Sequence, residues 1–62
     1  MSTIVVTDIY AASAAAKVKP ALLRSWLHRG KIARHGHDQV GRALVDVEEV
    51  QAYAEARRTA GT

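Results

Sequence analysis

No cysteine occurs in the 62 residues, and that absence constrains the fold more than any residue that is present. A chain of this size has room for one domain and one small core. Chains this short are usually fastened by disulfides, by a metal or by a partner. Without cysteine, disulfides and cysteine-ligated zinc are both excluded. The chain must therefore hold itself by packing, by binding, or by both. A single domain over residues 1–62 is expected, with its core at about 7–58 and a frayed tail at 59–62.

The residues able to pack fall into three helical stretches. Ile4-Val5-Val6 is a short β-branched run suited to a brief edge strand. Thr7 then offers an N-cap, and Asp8 places a carboxylate in the first turn of an alanine-rich helix over 8–16. Ile9, Ala12 and Ala16 share one face of it, with Val18 just beyond. A second helix over about 20–29 is signalled at both ends, by Pro20 in its first turn and by Gly30 after its last. Leu22, Leu23, Trp26 and Leu27 form its apolar stripe, and Trp26 is expected to anchor the core. Asp46 begins a third helix and, with Glu49, resembles a capping box. Val47, Val50, Tyr53 and Ala54 then give the stripe that closes the core.

Between the second and third helices the pattern changes. Lys31-Ile32-Ala33-Arg34 suits a strand, residues 36–41 are polar and turn-rich, and Arg42-Ala43-Leu44-Val45 suits the returning strand. The expected fold is therefore mostly α with a small β-hairpin: a winged helix-turn-helix whose second helix precedes a two-stranded basic wing.

Charge is segregated along the same lines. Residues 17–42 carry Lys17, Lys19, Arg24, Arg29, Lys31, Arg34 and Arg42 against Asp38 alone. Both flanks are acidic on balance. A basic middle suits a polyanion, of which nucleic acid is the commonest, although a charge run is also what a solvated face looks like. The longest apolar run, 11–16, is broken by Ser13 and is too short to cross a bilayer. Residues 1–6 carry no basic-then-apolar leader, so a cytoplasmic protein is expected.

Two pieces of the chain resemble the MerR-type winged helix-turn-helix, above all its small excisionase and AlpA-like members. One is Val18-Lys19-Pro20 followed by Leu23-Arg24-Ser25-Trp26-Leu27-His28-Arg29-Gly30-Lys31-Ile32. The other is Gly41-Arg42-Ala43-Leu44-Val45-Asp46-Val47-Glu48-Glu49-Val50. Lys19 stands where such proteins carry a capping Ser, and Val45 where an aromatic often ends the return strand. The resemblance implies a non-enzymatic, sequence-specific binder of double-stranded DNA. An excisionase would bend DNA near an attachment site, beside further copies of itself or an integrase. A small transcriptional regulator would use the same surface. Larger regulators of this type continue into a coiled coil and an effector domain, and neither is expected in a chain ending at Thr62.

In a helix-turn-helix the second helix enters the major groove with its N-terminal part. Burying Leu23, Trp26 and Leu27 leaves Lys19, Ala21, Arg24, Ser25 and His28 toward DNA. Arg24 matches the arginine that the resemblance assigns to DNA contact. Lys17 and Lys19 flank the turn, and Lys31 follows the helix-ending glycine, so all three suit phosphates. Arg34, His35, His37 and Arg42 on the wing suit the backbone or a narrow minor groove. The alternative to each is an ordinary solvated surface residue. His35-Gly36-His37-Asp38 offers three metal donors on a loop with no fourth in view, so no metal or other cofactor is expected. No nucleophile elbow, glycine-rich phosphate loop or paired acids over an apolar pocket is present, so no enzyme is expected. From another functional class, a protein-interaction adaptor would dock a partner helix on Val47, Val50 and Tyr53.

Overall fold

Each helix starts and stops where its unpaired backbone groups find a partner. A computed structural model of the chain describes residues 5–60. It runs β1 (Val6–Asp8), α1 (Ile9–Ala16), α2 (Pro20–His28), β2 (Leu44–Asp46), α3 (Val47–Ala60). Asp8, not Thr7, caps α1: its Oδ1 accepts from the N–H groups of Tyr10 at 2.8 Å and Ala11 at 3.0 Å. Thr7 is instead taken up in β1, opposite Val45. The far end of α1 closes with Lys17 N–H donating to Ala14 O and Val18 N–H to Ser13 O, Lys17 adopting φ 59°. The same paired closure ends α2, where Gly30 N–H donates to Leu27 O and Lys31 N–H to Trp26 O, with Gly30 at φ 75°. The start of α2 has Pro20 but no side-chain cap from Lys19.

Asp46 caps α3, its Oδ1 accepting from Glu48 N–H at 2.9 Å. The capping box is not completed. Glu49 reaches away from its own helix and accepts from Ala33 N–H at 3.1 Å. Thr59 and Ala60, expected in a frayed tail, belong to α3, while Gly61 and Thr62 lie outside the described residues.

The small sheet differs from the expected hairpin. β2 pairs antiparallel with β1, Val6 opposite Asp46 and Asp8 opposite Leu44. Val47 N–H donating to Val5 O continues that pairing. The strand near the start is thus Val6–Asp8, shifted from the expected 4–6, and Ile4 lies outside the described residues. Residues 31–34 form no strand. There Ile32 packs into the core at 4% exposure, and Ala33 N–H donates to Glu49 and not to a ladder partner. What remains of the wing is a tight loop. His37 bridges Ala43, His35 N–H donates to Leu44 O, and Leu44 N–H donates to Gly36 O. Asp38 Oδ1 closes its tip by accepting from Val40 N–H and Arg42 N–H. The protein is mostly helical with a two-stranded antiparallel sheet made from distant parts of the chain.

The core gathers Ile9, Ala12 and Ala16 of α1, Leu23 and Trp26 of α2, Ile32, Val45 of β2, and Val50 and Ala54 of α3. Alanines on the facing surfaces of α1 and α3 let those helices approach closely, and the bulk comes from Leu23, Trp26, Val45 and Val50. Ser13 is the one buried polar residue in the described region. Its hydroxyl is satisfied by donating to Tyr10 O at 2.8 Å. Leu22, expected inside, is 40% exposed, whereas Leu23 and Trp26 of α2 are buried and Leu27 packs partly buried against the core. Of the stripe Val47, Val50 and Tyr53, Val50 is fully buried in the core, Tyr53 packs half-buried against it, and Val47 is half-buried.

Candidate functional site

The outer face of α2, the start of α1 and the loop before β2 enclose an open cleft of about 520 Å³. α2 contributes Arg24 and His28, one helical turn apart. The loop contributes Arg34, His37 and Arg42, and α1 contributes Tyr10. Five of the eleven residues expected at a binding surface therefore share this cleft.

Tyr10 organises two of them. Arg24 Nη2 donates to the Tyr10 hydroxyl at 2.9 Å, its guanidinium carbon lying 5.8 Å from the ring centre. The Arg42 guanidinium lies over the same ring at 5.3 Å, a separation at which a cation is drawn to the ring's electron-rich face. Arg42 Nη1 also stands 4.0 Å from Asp8 Oδ2. Asp8 thus serves twice, one oxygen capping α1 and the other facing Arg42.

The cleft's arginines are mostly without carboxylate partners, the acids being engaged mainly with backbone N–H groups. Asp8, Asp38, Asp46 and Glu49 each accept from backbone N–H groups, and Glu55 pairs with Arg58 on α3. That accounts for five of the six acidic residues; among the described residues Asp8 alone forms an ion pair with a cleft arginine, while Asp38 sits in the same loop with its Oδ1 on Arg42 N–H. Among the described residues no acid pairs with Arg24 or Arg34. Cations concentrated over a low-dielectric wall attract anions more strongly than the same charges scattered.

The remaining expected residues do not line the cleft. Lys19 and Ala21 lie exposed at the start of α2, and Ser25 is half-buried on its flank. Lys31 and His35 are exposed, and their backbone N–H groups serve the end of α2 and the edge of β2. Lys17 departs from the expected surface. Its left-handed turn carries it into a separate hollow with Gln51, Glu55 and Arg58. There Arg58 Nη2 donates to Ala16 O at 2.7 Å, tying α3 to the end of α1. Among the described residues no cluster of three or more His, Asp or Glu side chains gathers, and Asp38 beside the histidines is committed to its own turn.

Tyr10 was not among the residues that sequence reasoning placed at the site. Its signal was available: it is the one aromatic on an alanine-rich helix, and it lies off the face formed by Ile9, Ala12 and Ala16. Comparison with protein-family models, curated proteins and solved structures finds no match to this chain.

Proposed function

We propose that this chain is a sequence-specific double-stranded DNA-binding protein of the winged helix-turn-helix kind, and that it acts as an excisionase, binding and bending DNA near an attachment site. In this reading α2 lies in the major groove, with Arg24 and His28 toward bases and phosphates. The loop carrying Arg34, His37 and Arg42 rides on the adjacent backbone or minor groove. The observation that supports the reading is the convergence of these five side chains on one cleft, in which only Arg42 has a carboxylate ion-pair partner, Asp8. The shortened wing does not remove its cationic side chains, since Asp38 holds the loop closed and leaves Arg42 facing α2.

A single module of this type buries roughly 600–1,000 Å² on DNA and covers about one half-site. Function then calls for several copies side by side or for a partner such as an integrase on neighbouring DNA. In vitro selection from random duplexes tests the proposal. A recurrent motif is expected. Recovery of no motif, with retention insensitive to salt, would overturn it. The genomic position of the motif separates two roles with the same contacts: copies beside integrase attachment sites mark an excisionase, and copies at promoters mark a transcriptional regulator.

A further inference from the structure

We infer that Tyr10 is the positioning residue of this interface, holding Arg24 of α2 and Arg42 of the loop as one preset pair that meets the DNA backbone already ordered. The inference rests on the DNA-binding reading above and assigns a role to a residue outside the expected recognition surface.

Packing does not explain Tyr10. Its side chain is 45% exposed, and the buried face of α1 is made by Ile9, Ala12, Ser13 and Ala16. Its contacts are instead with cations. The hydroxyl accepts from Arg24 at 2.9 Å and the ring lies under Arg42 at 5.3 Å. The two arginines belong to different elements, and like charges repel, so nothing intrinsic to either would hold them together. The phenol oxygen supplies an acceptor to one and the ring's electron density an attractive face to the other. Asp8, anchored as the cap of α1, also faces Arg42, its Oδ2 standing 4.0 Å from Arg42 Nη1. Arginine side chains are rich in rotamers, and ordering them before binding removes a cost otherwise met on the DNA.

Tyr10→Leu and Tyr10→Phe, compared with the unsubstituted chain, test this. Affinity for a site-selected duplex is measured by fluorescence anisotropy across a salt series, with a thermal melt of each protein. Arginine 15Nε relaxation in the free proteins reads the order of Arg24 and Arg42 directly. The leucine variant is expected to bind roughly tenfold more weakly, the summed effect of freeing two long side chains. Its log–log salt slope should stay unchanged because no cation has been removed. The phenylalanine variant keeps the ring under Arg42 and should recover most of the loss, remaining about threefold weaker. Both should melt close to the unsubstituted chain, and relaxation should show both arginines more mobile in the leucine variant. Unchanged affinity of the leucine variant, equal arginine order in all three proteins, or a loss accompanied by a shallower slope would overturn the inference. Failure of the unsubstituted chain to bind any duplex is a separate outcome, visible before any variant is made. It would remove the DNA-binding reading and this role together.

Discussion

Trp26 and Arg24 stand two residues apart on one short helix and meet opposite environments. Trp26 is 3% exposed and meets the Tyr53 ring edge-on, with centres 4.7 Å apart and planes at 77°. Arg57 covers the outer side of the pair, 5.8 Å from the Trp26 ring and 5.9 Å from that of Tyr53. Removing the indole would empty the largest piece of a core that has few others. Trp26→Ala is expected to cost about 3–5 kcal/mol, enough to unfold a domain this small, and loss of the cooperative transition in a circular-dichroism melt checks it. A variant that melts normally yet no longer binds DNA would place Trp26 at the interface. The inward anchor was legible because Trp26 and Leu23 sit three apart on a helix marked at both ends. Leu22 was misjudged because a stripe four residues wide exceeds what α1 and α3 cover, and that width is a property of the neighbours. Tyr10 stood out as an aromatic off the buried face of α1, but which residues it would meet was hidden for a related reason. Its importance lies in partners 14 and 32 positions later in the chain.

Among the elements, the helices follow local chemistry and the sheet does not. Pro20 and Gly30 bound α2 through proline's missing N–H and glycine's access to positive φ, both readable from single residues. The end of α1 uses the same geometry with Lys17 in the left-handed position, where a side chain is strained. Lys17→Gly is therefore expected to stabilise the protein by up to about 1 kcal/mol, seen as a higher melting temperature. A lower one would mean that the lysine's own contacts outweigh the strain. The partner of β2 was not readable in this way. Residues 31–34 and 6–8 both have strand-compatible composition, and the choice between them is decided by two long-range events. Ile32 enters the core, and Glu49 takes the N–H of Ala33. The edge that β2 pairs with is β1.

For the molecule as a whole, the central proposition is that one side is arranged for a polyanion and the other is not. Arg24, His28, Arg34, His37 and Arg42 line the cleft, whereas Lys17, Arg57 and Arg58 surround hollows beside the junction of α1 with α3. In the second group Arg58 is engaged with Glu55 and with Ala16 O, and Arg57 lies over two rings, so their charge is partly spent on holding the fold. The longest dimension, 39 Å, slightly exceeds one turn of duplex at roughly 34–36 Å. Binding through about five phosphates would give a log–log salt slope near −4 to −5. The most direct measurement is a titration of the 15N-labelled protein with a site-selected duplex, following every backbone amide. Large shifts are expected for residues 21–28 and 34–43 and for Tyr10, with the amides around Lys17, Arg57 and Arg58 nearly still. Shifts concentrated on the Lys17–Arg58 side, with the cleft unmoved, would contradict the assignment of the binding face.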